Sequence, residues 1–67
     1  MKVSQLLHVM DKDDPVVIDD YDAPLDNMTL YEGVVRGVKK DDPINKMHVA
    51  SICANGDVLL ILAEREG

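Results

Sequence analysis

The stretch MHVASICANGDVLLILAE, residues 47–64, decides the fold of this chain. Two strand-like runs flank the dipeptide Asn55-Gly56, which supplies the positive φ values that a tight two-residue turn requires. We therefore expect a β-hairpin with Asn55 and Gly56 as the turn residues. In that register, Cys53 faces Val58 across the two strands.

The second run of this hairpin is apolar at both alternating positions over residues 58–63. A strand with two apolar faces is typically covered on both sides. We expect a helix on one side and a second subunit on the other.

The N-terminus carries a helical pattern. Its apolar residues recur at the spacing of one helix face: Val3, Leu6, Leu7 and Met10. We expect the helix to begin with Ser4 as its N-cap and to end at Met10 or Lys12. So short a helix is not stable alone, so its apolar stripe must dock on a sheet.

Two further strands are expected, at residues 15–21 (PVVIDDY) and 28–38 (MTLYEGVVRGV). Both are rich in β-branched or aromatic residues. Gly33 and Gly37 mark a bulge or a close backbone approach in the second strand. The sequence thus predicts one α+β domain over residues 1–67, with the helix packed on an antiparallel sheet of about four strands.

The negative charge is concentrated in one segment. Residues 11–26 hold seven aspartates against Lys12, and the six acids and six bases elsewhere cancel, so this segment accounts for the net charge of −6. Direct binding of a nucleic-acid backbone needs a basic patch and is disfavoured. We expect this acidic segment to attract a basic protein surface or a cation.

A metal site is not expected from these aspartates. Aligned on a calcium-binding loop that starts at Asp11, the sequence has Pro15 and Val16 where an oxygen ligand and a glycine are required. Strand alternation sends Asp19 and Asp20 to opposite faces, which also argues against a looser Mg²⁺ or Ca²⁺ cluster. No cofactor is expected either.

No catalytic motif surrounds the nucleophilic or titratable residues, so we expect a protein without enzymatic activity. Cys53 is interpreted as a small buried hydrophobe within a strand. His8 is expected to face solvent, and His48 to lie at a sheet surface or edge.

The acidic segment has two interpretations. One is a solvated rim that keeps a β-rich chain soluble. The other is a binding face whose carboxylates occupy a basic groove on a larger protein, where phosphates normally bind. The residues expected to point outward to such a partner are Asp13, Asp14, Asp19, Asp20, Asp22 and Asp26.

An alternative function is a small homo-oligomer that binds or sequesters a nucleotide-type ligand at its subunit interface. The exposed apolar sheet face motivates this alternative. The phosphate contacts would then come from the basic residues of the polar connection: Arg36, Lys39, Lys40 and Lys46.

The chain resembles small acidic proteins of phages and mobile elements of Gram-positive bacteria, especially Clostridia and their relatives. The resemblance rests on Met-x-Val-x-x-Leu from Met1, Met-Asp-x-Asp from Met10, Val-x-Ile-x-Asp from Val16, and the stretches LYEGVV (30–35) and DVLLILAE (57–64). It implies a small accessory protein, phage-derived and acting against a host defence system; a CRISPR effector would fit as the basic partner. It carries over no catalytic residues. The N-terminal segment does not have the pattern of a signal peptide, so a cytoplasmic setting is expected.

Overall fold

The structure, a computed structural model, describes residues 1–24 and 27–65. Its helix and strands, in chain order, are α1 (Val3–Val9), β1 (Pro15–Asp20), β2 (Thr29–Val34), β3 (His48–Asn55) and β4 (Val58–Glu64). Two short 3₁₀ turns, Val35–Gly37 and Pro43–Lys46, lie between β2 and β3. The α+β class, with one N-terminal helix and a four-stranded sheet, is confirmed.

The sheet is mixed, so the prediction of a wholly antiparallel sheet is wrong. Its strand order is β2-β1-β4-β3, and the two central strands β1 and β4 run parallel. The hairpin to β3 uses one edge of β4, and the other edge pairs with β1, with Val16 beside Leu59. The two central strands, where each has two neighbours, are also the most buried strands of the sheet.

The hairpin between β3 and β4 turns one residue later than expected. Asn55 pairs with Val58, so Gly56 and Asp57 are the turn residues and the Asn55-Gly56 turn is not confirmed. Gly56 has a φ of 63° whereas Asp57 has a negative φ, a pattern that places glycine at the first turn position of a type II′ turn. Cys53 accordingly faces Leu60 rather than Val58.

Helix α1 covers one face of the sheet. Val3 and Leu7 are buried in the same cluster as Val16, Ile18 and Ile61 of the central strands. The N-cap is Lys2, two residues before the predicted Ser4, and the Oε1 atom of Gln5 accepts a hydrogen bond from the backbone N–H of Lys2 at 2.8 Å. Ser4 thus lies inside the helix instead of capping it.

Strand β2 is shorter than the predicted residues 28–38. It ends at Val34, whose carbonyl accepts a hydrogen bond from the Tyr31 hydroxyl at 2.7 Å. The side chain of Tyr31 lies close to Gly33 and Gly37, so the close approach at these glycines is made by a side chain and not by the predicted backbone. The bulge falls elsewhere, at Leu30, where the pairing with β1 shifts register.

Candidate functional site

A rigid acidic turn, residues 11–14, leads from α1 into β1. The backbone N–H of Asp13 donates to the Oδ1 atom of Asp11 at 3.0 Å, and that of Asp11 donates to the Oδ2 atom of Asp14 at 3.2 Å. The side chain of Arg36 also binds the Asp13 carboxylate. All three carboxylates are exposed on a turn whose backbone is fixed by hydrogen bonds.

Asp19 and Asp20 are not displayed outward, so the expectation that they face solvent is wrong. They are only 7% and 5% exposed. The Oδ1 atom of Asp20 accepts the backbone N–H of Asp22 at 2.9 Å, and its Oδ2 atom lies 3.8 Å from the Arg65 guanidinium. Alternation sends Asp19 to the other face, so these neighbours cannot act as a catalytic pair at one site.

Of the other two predicted partner-binding residues, Asp22 is exposed and Asp26 lies outside the described residues. The acids that remain available therefore fall into two groups. The acidic turn lies at the start of β1, and Asp22 lies just beyond its end.

The side of the sheet opposite α1, which we call the open face, carries apolar residues. Strand register places on it the apolar residues Val17, Leu60 and Leu62, together with Cys53 and the buried Asp19. The apolar side chains of Val17, Leu60 and Leu62 are only partly buried, and none belongs to the core cluster beneath α1. Within residues 1–24 and 27–65, no helix packs on this face.

The charges around the open face are acidic. None of the four strands contains a lysine or an arginine. Glu32 is paired with Val17 and therefore points to the same side, and Glu64 follows Leu62 with the same parity. At the other end, Asp57 precedes β4 beside the start of β1. The open face is thus an apolar strip bordered by carboxylates.

Cys53 is exposed on this face, so its interpretation as a buried hydrophobe is wrong. The cause is the position of β3 at the edge of the sheet, since an edge strand on an uncovered face gains no cover from neighbours. His8 is exposed, as predicted, and His48 is half-buried at the start of β3.

Two clefts flank the 3₁₀ turn Pro43–Lys46. The larger, about 460 Å³, has walls of both charge signs, with Asp20 and Arg65 on one side and Asp42 and Lys46 on the other. Asp42 is already engaged, because its Oδ1 atom accepts the backbone N–H of Ile44 at 2.9 Å. The acids of this cleft, Asp20 and Asp42, thus both accept backbone hydrogen bonds that stabilise the scaffold.

The smaller cleft, about 360 Å³, is basic, and we call it the lysine cleft. Its charged lining consists of Lys2, Lys12, Lys40 and Lys46, together with His8. Two of the four residues predicted for the alternative ligand site, Lys40 and Lys46, come together here. The other two do not: Lys39 is not part of the lining, and Arg36 binds Asp13.

Sequence reasoning missed Lys2 and Lys12, because nothing in a linear pattern shows that both ends of α1 approach the polar connection. It also did not name Val17, Leu60 or Leu62 as surface residues. The signal for these was present in the apolar character of both faces of residues 58–63.

Within the part of the chain that the structure describes, no three His, Cys, Asp or Glu side chains are grouped as metal ligands would be. The same residues include no helix that is both long and apolar enough to cross a membrane.

Comparisons with known proteins leave the chain without an assigned family. No protein-family model, curated protein or solved structure matches it. Functional inference therefore rests on the geometry described above.

Proposed function

We propose that this chain is a non-enzymatic binding module that occupies a basic surface of a larger protein. The observation that carries the proposal is the open face, an apolar strip bordered by carboxylates in a sheet that contains no lysine or arginine. Apolar contact supplies affinity, and the surrounding acids select a partner of opposite charge.

The acidic turn supports the same kind of partner. The carboxylates of Asp11 and Asp14 are held by backbone hydrogen bonds before any partner arrives, so little conformational entropy is lost when they bind. Arginine and lysine side chains that normally hold phosphates accept carboxylates in a similar way. A groove that binds nucleic acid is therefore the kind of partner surface expected.

A second copy of the chain is a poorer partner for the open face. Two copies would bring Glu32, Glu64 and Asp57 of one chain near the same acids of the other. Like charges at an interface cost free energy, whereas a basic partner gains from the same arrangement.

The finer form of the proposal, a phage-encoded inhibitor of a host defence protein such as a CRISPR effector, is motivated by the sequence resemblance.

The test uses two neighbouring exposed residues of β3 that point to opposite faces. Cys53 lies on the open face, whereas Ile52, 46% exposed, pairs with Ile61 on the side of α1. Candidate nucleic-acid-binding defence proteins are captured on the immobilised wild type, Cys53→Lys and Ile52→Lys. We expect the wild type and Ile52→Lys to retain a partner that Cys53→Lys loses.

The retained partner should also be released by added nucleic acid and by raising the salt concentration, because exposed charge pairs are screened by salt. Capture that is equal for both lysine variants, or that nucleic acid does not displace, would contradict the proposal. A dimer by light scattering that only Cys53→Lys dissociates would instead assign the open face to self-association.

A further inference from the structure

We propose that the lysine cleft binds an oligophosphate group, meaning two or more linked phosphates, within a single chain. This site is separate from the protein-binding function proposed above. It also differs from the ligand site predicted at a subunit interface, since residues of α1 and of the polar connection form this cleft without needing a second chain.

Positive charges converge at the lysine cleft. Four lysines line one cleft, and no aspartate or glutamate does, although acids outnumber bases in the chain by 13 to 7. Among residues 1–24 and 27–65, none of the four forms a salt bridge. Mutual repulsion of these ammonium groups is unfavourable in the free chain, and a bound polyanion relieves it.

The segments that carry these lysines are held in place by hydrogen bonds. The Nδ2 atom of Asn45, itself in the lining, donates to the backbone carbonyls of Lys39 at 2.7 Å and Lys40 at 3.3 Å. The backbone N–H of Arg36 donates to the carbonyl of Lys12 at 2.9 Å. A cleft of this kind is largely preformed, which is typical of small-molecule sites.

The two sides of the cleft are also joined. The backbone N–H of Val3 donates to the carbonyl of Met47 at 2.8 Å, which fixes the segment carrying Lys2 next to the segment carrying Lys46. The lysines on α1 and those on the polar connection therefore keep their separation. Four ammonium groups around one cleft favour a ligand with several adjacent negative charges over a single chloride or carboxylate.

The chemistry of the lining selects phosphate. Lysine binds phosphate as a point charge, and Ser4 adds a hydroxyl donor. The apolar part of the lining, which includes Leu7 and Val38, can contact an organic group attached to the phosphates. The volume, about 360 Å³, lies in the range of small-ligand sites.

The experiment is a titration followed by the amide signals of the ¹⁵N-labelled chain in low salt. The probes are tripolyphosphate, adenosine triphosphate and adenosine. We expect saturable shifts at Ser4, Lys12 and the Asn45 side-chain amide with both phosphate probes and none with adenosine. A higher affinity for adenosine triphosphate than for tripolyphosphate would show that the organic group also contacts the cleft. Equal affinities would show that the phosphates suffice for binding.

The matched variants are Lys40→Gln, inside the cleft, and its neighbour Lys39→Gln, outside it. Loss of one charge-assisted contact should weaken binding about tenfold for Lys40→Gln and for Lys46→Gln, with less than about a twofold change for Lys39→Gln. An equal loss of affinity for Lys39→Gln would overturn the proposal, as would amide shifts spread over all lysines. Heparin serves as a further probe, and binding of heparin without binding of either phosphate probe would also overturn it. Unchanged urea midpoints show that the variants remain folded.

Discussion

Asp19 lies beside Leu62 in the central strand pair, and its Oδ1 atom is buried without a hydrogen-bond donor among the described residues. A buried acceptor that loses its water without gaining a partner destabilises a fold by about 1–3 kcal/mol. The centre of the sheet thus contains a carboxylate oxygen whose burial opposes folding.

Replacing this carboxylate with an apolar side chain should stabilise the free chain. Asp19→Val introduces a β-branched residue of strand type, and we expect the free energy of unfolding in urea to rise by about 1 kcal/mol or more. Asp22→Val, at an exposed position, should change it by less than about 0.5 kcal/mol. A fall in stability for Asp19→Val would show that the carboxylate is satisfied in solution.

The turn of the hairpin gives a second prediction. Gly56 has a φ of 63°, so Gly56→Ala should destabilise the fold by about 1 kcal/mol. Asn55→Ala should have little effect, because Asn55 belongs to β3 and not to the turn. Urea unfolding of both variants distinguishes the two registers, since a turn formed by Asn55 and Gly56 would make both substitutions unfavourable.

The contact between Tyr31 and Gly37 gives a third prediction. A Cβ atom at position 37 would collide with the Tyr31 hydroxyl, so Gly37→Ala should lower the free energy of unfolding by about 1–3 kcal/mol. Tyr31→Phe removes the colliding oxygen and should recover part of that loss in the double variant. Purely additive effects of the two substitutions would be evidence against the contact.

The exposure of Cys53 gives a fourth prediction. Its thiol should react with a chromogenic disulfide reagent in the folded chain at a rate within roughly tenfold of that in urea. A much slower reaction whose rate rises when the protein is diluted would indicate that self-association covers the open face. The reacted chain, with a bulky group on this face, should also lose the basic partner.

The ion pair of Arg36 and Asp13 gives a fifth prediction. Both side chains are exposed, so a double-mutant cycle with Arg36→Gln and Asp13→Asn should yield a coupling of about 0.5 kcal/mol or less. The coupling should shrink further in high salt. A larger value would mean that this pair, and not the backbone hydrogen bonds, fixes the acidic turn.

The helix and the faces of β1 could be predicted because they depend on local periodicity. Val3 and Leu7 point to the core, as do Val16 and Ile18. Even the error at the hairpin preserved the faces, because Cys53 shares its side of the sheet with Val58 and with Leu60 alike. A shift of two residues across the strands does not change parity.

The strand order could not be predicted, because it depends on which edge of β4 pairs with β1 after the hairpin has formed. Hydrophobic pattern alone does not choose between parallel and antiparallel neighbours for a strand that is apolar on both faces. The lysine cleft escaped prediction for a similar reason, since Lys2 and Lys46 become neighbours only through contacts between the N-terminus and residues 47–49, such as that of Val3 with Met47.

The parallel pairing of Val16 with Leu59 also constrains how the chain is made. Strand β1 is synthesised before β4, so the edge of β1 that pairs with β4 lacks its partner until the intervening residues have been made. Such a long-range pairing also slows folding. We therefore expect translation speed and chaperone supply to affect the yield of this protein more than its small size suggests.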